Sequence, residues 1–272
     1  MAAAAEAASV LNEEHANGVL TLTLNRAERM NAFNVALHKA LSAALVRAGE
    51  SDDCRVVLLT GSGAGFCAGQ DLSERATAVR QGQPLDLGAT IENYYNPLVR
   101  ALRALSKPVI AAVNGVAAGA GANIALACDI VIAARSAKFL QAFARIGLIP
   151  DSGGTFFLPR LVGDARARAM MLLADPVSAE DAAAWGLIWR VVNDEDLMGE
   201  AHTLAERLAA GPTHAYGLMK RAFAASTSNT LDAQLDLERD LQREAGSRDE
   251  YIEGVRAFLE KRQVNFRKTA GR

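Results

Sequence analysis

One pattern, present twice, most constrains what this chain can fold into. A short apolar run at residues 56–60 (VVLLT) passes without a spacer into the Gly-rich stretch GSGAGFCAG. A second run at residues 109–113 (VIAAV) passes in the same way into residues 114–121 (NGVAAGAG). A run this short, apolar and β-branched reads as a strand buried on both faces, the habit of parallel strands. Small residues after a strand allow close backbone approach, and a turn entering a helix leaves N–H groups free. Two readings stand open. The paired turns could bind one oxyanion at the strand ends, or they could serve only tight strand–helix packing.

The surrounding pattern extends the same plan. Residues 19–24 (VLTLTL) alternate apolar with Thr, predicting a strand with one face more exposed. Residues 34–49 carry helical spacing through Leu37, Leu41 and Leu45, with Asn34 as cap and Gly49 as stop. Residues 92–105 read as a helix broken by Lys107-Pro108. Residues 122–127 read as a small-residue helix and 130–133 as a third buried strand. Strand, turn and helix in repetition predict α/β architecture with a largely parallel sheet. After Pro150-Asp-Ser-Gly-Gly the character changes. From Asp164 onward the spacing is helical, over 165–173, 178–185, 197–210, 213–225, 231–245 and 249–258, with almost no strand signal.

Composition removes whole classes of function. Among 272 residues, 29 basic side chains meet 31 acidic ones, and half the chain is hydrophobic. That balance excludes disorder and disfavours a broad basic face for nucleic acid. No apolar run approaches the roughly 20 residues of a membrane helix. Three Cys are too few and too uneven for a disulfide scaffold. A soluble cytoplasmic globular protein is expected. Residues 1–9 fit neither a secretory nor a mitochondrial leader and read as a frayed start; residues 267–272 read as a mobile tail. His15, His38, His202 and His214 have no metal-ligand spacing and read as surface or interhelical residues, so no metal is expected. Cys67 lies in a Gly-rich turn with no nearby His to activate it. Gly61-Ser-Gly-Ala-Gly matches a dinucleotide fingerprint only weakly, lacking the third Gly.

The ordered motifs resemble the crotonase (enoyl-CoA hydratase/isomerase) superfamily over about residues 19–266. They are Leu24-Asn-Arg with Met30-Asn-Ala, Gly65-Phe-Cys-Ala-Gly-Gln-Asp-Leu, Lys107-Pro-Val-Ile-Ala-Ala-Val-Asn-Gly, Ala127-Cys-Asp-Ile, Ile149-Pro-Asp-Ser-Gly-Gly and Phe258-Leu-Glu-Lys-Arg. The resemblance implies a spiral of ββα units over residues 10–200 and a helical trimerisation region over 201–266, in place of the simple parallel sheet. It implies an acyl-CoA thioester as substrate, no cofactor beyond the CoA it carries, and a homotrimer or dimer of trimers.

Residue by residue, the family's oxyanion hole falls on the backbone amides of Gln70 and Ala120. The family position usually holds Gly where this chain has Ala120. The two Glu with which hydratases of the family activate water fall on Asn123 and Phe143. Neither an amide nor a phenyl ring titrates, so hydratase activity is not expected. A third family position holds Asp151. Alone, an Asp before Ser-Gly-Gly reads as a turn cap. With both Glu positions emptied, the resemblance implies proton transfer by Asp151, its pKa raised by burial beside Phe143 and Ile149. The motif run looks closest to the ring 1,2-epoxyphenylacetyl-CoA isomerase subfamily, with a general Δ3,Δ2-enoyl-CoA isomerase as the alternative. A non-catalytic acyl-CoA-binding paralogue is the alternative from another class. Asn123 is expected to orient substrate or Asp151, and Phe143 to pack on the acyl group or in the core. For CoA, the resemblance points to Ala68, Asp71 and Leu72, to the loop of Arg26, Arg29 and Met30, and to Lys261.

Overall fold

The computed structural model describes residues 9–83 and 85–269; the leader over 1–8 and the last three residues of the expected tail lie outside the described residues. Strands β1 (Leu11–Ala16) and β2 (Val19–Leu24) form an antiparallel hairpin. Helix α1 (Val35–Glu50) begins where Asn34 accepts the Leu37 N–H at 2.9 Å, the cap read from sequence. Its buried stripe of Leu37, Leu41, Ala44 and Leu45 follows the helical period. Gly49 does not stop it, since the helix runs one residue further.

Three successive cycles then share one plan. In the first, β3 (Val56–Gly61) and β4 (Gly65–Cys67) lead through α2 (Ala76–Arg80) and α3 (Leu87–Thr90) to α4 (Asn96–Ala104). In the second, β5 (Val109–Val113) and β6 (Val116–Ala118) lead to α5 (Ala120–Ala127). In the third, β7 (Ile130–Ala134) and β8 (Lys138–Leu140) lead to α6 (Gly154–Leu173), whose course breaks at Gly163 with φ 77°. That break hides its first half from the helical period. Then follow β9 (Val177–Ser178), α7 (Ala179–Ala184), β10 (Arg190–Val192), α8 (Leu197–Ala209), α9 (Thr213–Ser226), α10 (Leu231–Gly246) and α11 (Asp249–Leu259).

The strands sort into a six-stranded sheet, β1-β2-β3-β5-β7-β10, and a four-stranded sheet, β4-β6-β8-β9. Each cycle lays one strand in each sheet before its helix, which makes the ββα spiral. The single parallel sheet predicted from residue pattern is therefore corrected. β4, β6 and β8 have only three residues each, too few for any periodicity to register, and the Gly and Ala of β4 and β6 hold strand form only because neighbours pair with them. The exposed face predicted for β2 is also corrected: Thr21 is buried, because β1 and β3 flank the strand and helices cover it. Helix α5 starts at Ala120, two residues before its predicted start. Strands β9 and β10 interrupt the stretch predicted as all helical. The tail is anchored at its start, where Arg267 donates to the Asn17 carbonyl at 2.7 Å. Helix α8 runs across residue 200 and packs on β2, β3, β5 and β7. Among the described residues no helix is long and apolar enough to cross a membrane.

Candidate active site

The two Gly-rich turns meet because β4 and β6 pair in parallel. Their contact is closer than side chains permit. A Cβ on Gly121 would stand 2.3 Å from the Cys67 carbonyl oxygen, and one on Gly69 would stand 2.9 Å from that of Ala118 and 3.4 Å from the Ala120 nitrogen. Of the two open readings, tight packing is what these contacts show: it sets the second turn beside the first.

Neither the Gln70 N–H nor the Ala120 N–H donates to a protein acceptor among the described residues. Their neighbours are engaged. Phe33 N–H donates to the Gly69 carbonyl at 2.6 Å, and Gly119 N–H to the Leu140 carbonyl at 2.8 Å. A trans peptide points its C=O and N–H in opposite directions. Anchoring the Gly69 carbonyl on Phe33 thus turns the Gln70 N–H away from the 31–33 segment. Ala120 is the first residue of α5, where an N–H has no intrahelical acceptor. The Phe143 ring lies 3.7 Å from where a Gly119 Cβ would be, so it roofs this turn.

Asp151 sits in the loop before α6, half-buried. Burial pushes its carboxyl pKa up, against the opposing pull of the Ser152 hydroxyl and the Arg75 charge. Ser152 Oγ donates to Asp151 Oδ1 at 2.9 Å. The expectation from sequence that Ile149 helps to bury Asp151 is corrected, because Ile149 stands 81 % exposed. The turn-cap reading also falls away: Gly153 occupies the N-cap of α6, and no side chain caps it. The Asp151 backbone is what the protein holds. Its carbonyl accepts from Gly154 N–H at 2.9 Å and from Asn123 Nδ2 at 2.8 Å. Asn123 Oδ1 in turn accepts from Gln141 Nε2 at 2.8 Å. Asn123 lies in the first turn of α5, so this chain ties the Asp151 loop to the helix that begins at Ala120. Of its two expected roles, the fully buried Asn123 amide is placed toward Asp151.

The expected CoA residues divide. Ala68 N–H donates to the Met30 carbonyl at 2.9 Å, and Leu72 is exposed beside them. Asp71 is buried, its carboxylate held below the usual range by Ser73 and then by Arg26. Arg26 faces inward onto Asp71 Oδ2 at 2.9 Å and onto the Ala32 carbonyl. Arg29 keeps an exposed position. Lys261 lies just past the end of α11, with a left-handed φ of 52°, and α11 packs on α10 and the 3₁₀ turn Phe266–Thr269. Cys67 is fully buried with its thiol pushed up to about 12, which leaves it inert. His38, expected at a surface or between helices, is 2 % exposed among Phe33, Tyr94 and Tyr95. Residue pattern also passed over Asn31, Gln141 and Ser152, since a polar residue gives no sign from spacing alone that it will be buried. Asn31 stitches its loop to β4 by donating to the carbonyls of Ser62 (2.9 Å) and Gly65 (2.8 Å). Among the described residues no group of three His, Cys, Asp or Glu could hold a metal ion.

Comparison with known proteins places this geometry. The Enoyl-CoA hydratase/isomerase family matches residues 14–269. The 1,2-epoxyphenylacetyl-CoA isomerase of Escherichia coli (strain K12) is 57% identical over 249 residues, covering 92% of this chain and 95% of that protein. A Rhodobacter capsulatus protein named "Probable enoyl-CoA hydratase" is 50% identical over 253 residues, covering 93% and 96%. The solved structure of an enoyl-CoA hydratase from Bacillus anthracis superposes with a TM-score of 0.87 at 32% identity, covering 95% of this chain and 99% of that one. The turns, the spiral and these matches agree, and the chain belongs to the enoyl-CoA hydratase/isomerase family.

Proposed function

We propose that this protein is an acyl-CoA isomerase that works through a thioester enolate. Gln70 and Ala120 N–H groups receive the thioester oxygen as negative charge develops on it. A backbone donor so placed contributes roughly 3–4 kcal/mol in the transition state. Asp151 removes the proton α to the thioester and returns it further along the conjugated system. The C–H bond broken and the C–H bond formed involve the same carboxyl. With the ring epoxide, the C–C bond shared by the epoxide and the six-membered ring also opens, its electron pair passing into the double bonds of the seven-membered oxepin, so no atom is gained or lost. The reactions are conversion of 1,2-epoxyphenylacetyl-CoA to oxepin-CoA and transfer of a double bond from the β,γ to the α,β position. The observation that carries this reading is Asp151: a half-buried carboxylate with a raised pKa, free of any capping duty, in a loop tied to the helix that begins at Ala120. Burial moves a carboxyl toward the range where it is a competent base.

Asn123 and Phe143 support isomerisation over hydration, because neither can activate water. The 57% identical isomerase supports the ring-epoxide substrate, and the 50% identical protein with a hydratase name makes hydration the activity to measure beside it. Ala68, Met30, Asp71 and Leu72 form the proposed CoA edge, with Lys261 supplied by a neighbouring subunit. Large exposed apolar side chains on α9 to α11, among them Phe223, Leu231 and Phe258, support assembly as a homotrimer or dimer of trimers. The division into a core over 10–200 and an assembly region over 201–266 belongs to the same proposal, as does a cytoplasmic location. A substrate panel tests it. Rapid turnover of the ring-epoxide CoA ester, slower turnover of 3-hexenoyl-CoA and negligible hydration of crotonyl-CoA are expected. Preference for 3-hexenoyl-CoA favours the general Δ3,Δ2-isomerase, hydration of crotonyl-CoA at comparable rates overturns the roles of Asn123 and Phe143, and tight binding without turnover indicates a binding paralogue.

A further inference from the structure

The Gln70 side chain, which has no part in the proposed chemistry, is held more firmly than a surface amide requires. Its Oε1 accepts the Tyr95 hydroxyl at 2.9 Å. Its Nε2 donates to the Phe33 carbonyl at 3.1 Å, with a longer approach of 3.4 Å to that of Asp71. Phe33 is also the residue whose N–H anchors the Gly69 carbonyl, and whose carbonyl accepts Asp71 N–H at 2.9 Å. The Gly69–Gln70 peptide is thus fixed from its carbonyl side, and the side chain one bond beyond it is fixed at both polar atoms.

Tyr95 reaches this place by an irregular backbone. Residues Ile91–Tyr95 form a π-helical turn between α3 and α4, closed by an Asn96 N–H to Ile91 carbonyl bond. Such turns shift the side-chain register and recur at functional sites. The Tyr95 ring is 1 % exposed and packs edge-on against His38 at 4.3 Å, while His38 also lies 4.6 Å from the Phe33 ring. Burial holds His38 neutral, with a pKa of about 4. The brace therefore rests on an uncharged aromatic box.

We propose that Tyr95 is a positioning residue for the Gln70 amide, aiming the oxyanion donor through the Gln70 side chain. This rests on the assignment of Gln70 and Ala120 as oxyanion donors, and the test separates the two. The probe is hexanoyl-CoA carrying ¹³C at the thioester carbonyl, which binds but cannot isomerise. Its bound carbonyl stretch in the infrared reads the polarisation directly. The intact enzyme is expected to shift the stretch to lower frequency than in free hexanoyl-CoA, and Asp151→Asn to keep that shift while losing turnover. Tyr95→Phe is expected to return part of the shift and to lower kcat about tenfold, the usual effect of one lost hydrogen bond, with KM within about twofold. Gln70→Ala, which keeps every buried aromatic and the backbone N–H, should give the same loss and reads it even if Tyr95→Phe does not fold. The double variant should be no worse than either single one. A wild-type carbonyl shift and kcat in Tyr95→Phe or in Gln70→Ala, or losses that multiply in the double variant, would overturn the proposal. Absence of any shift in the intact enzyme overturns the oxyanion assignment itself.

Discussion

The strand-end turns and the C-terminal helices handle surface in opposite ways. Around β4, β6 and α5 most residues are small, chiefly Gly and Ala, and nearly all are buried, and among the described residues the Gln70 and Ala120 N–H groups donate to no protein acceptor. On α9 to α11 the side chains are large, and many are outside: Phe258 stands 83 % exposed and Phe223 73 %. These helices are fastened to the core by charge as much as by apolar burial. Lys220 Nζ sits 2.7 Å from Asp129 Oδ2 and also donates to the carbonyls of Leu102 and Lys107. The Arg55 guanidinium donates to the carbonyls of Ala209 and Gly211 in the link between α8 and α9. The difference teaches that the strand-end turns are built by leaving side chains out, and the helical region by leaving large apolar ones exposed. Exposed apolar area on this scale marks an interaction face.

Perturbing one region should leave the other intact, which gives the contrast its tests. The largest effect is expected for Asp151→Asn: kcat falls by about 10³ or more, the scale of a lost general base, with acyl-CoA affinity within several-fold and sedimentation unchanged. The wild-type pH profile carries the same information. The base must be ionised, so kcat/KM should rise with pH through a carboxyl pKa displaced upward by burial, and that rise should vanish in Asp151→Asn. Undiminished turnover removes Asp151 from its role.

Gly121→Val should come next. Its Cβ would be 2.3 Å from a backbone oxygen that cannot move without opening the sheet, so about 3 kcal/mol or more of stability is lost. Thermal denaturation should show a Tm lower by roughly 6–12 °C for a chain of this size. An unchanged Tm would show that the turns are not in contact.

The box behind Gln70 predicts acid sensitivity. His38 titrates at about 4 in the folded chain against 6.5 when unfolded, so the unfolded state binds the proton first. Stability is therefore full above the unfolded pKa and falls as pH drops from 6.5 toward 4, by up to about 3 kcal/mol. Denaturant titrations of His38→Leu should show this slope flattened. A slope equal to the wild type's assigns the acid loss to other groups.

The smallest effect is expected in the helical region. Phe258→Ser should weaken self-association about tenfold or more by sedimentation, the scale of one apolar anchor, while the ring-epoxide kcat per assembled chain stays within about twofold. Unchanged assembly would move the interface off α11.

Much of the fold could be read before any coordinate. The apolar runs at β3, β5 and β7 lie where residue pattern puts them, as do α1 with its Asn34 cap and the helices from α8 to α11. The helices are long or strongly periodic, since burial on one face writes a period into the sequence, and the strands are short apolar runs buried on both faces. The second sheet could not be read from residues, because strands of three residues are too short to show any alternation that sets them apart from a turn. The same limit governs the site. Motif order points to Gln70, Ala120 and Asp151 only through resemblance, and Tyr95, Gln141 and Ser152 lie inside ordinary helical or turn patterns. Arg26 shows the converse, a basic residue in a promising loop that turned out to serve Asp71.

What the sequence determined alone is chemical type: small residues at two strand ends, a lone acid, Asp151, before Ser-Gly-Gly, and a tail of amphipathic helices. Those are properties of composition and spacing, and no neighbour can change them. What the tertiary structure decided is direction and state. It decided that the Gly69 carbonyl faces Phe33, so that the Gln70 N–H faces the other way. It decided that Asn123 holds Asp151's backbone while burial raises its carboxyl. A peptide's orientation and a carboxyl's solvation depend on groups tens of residues away in the chain, and only packing brings those groups within reach.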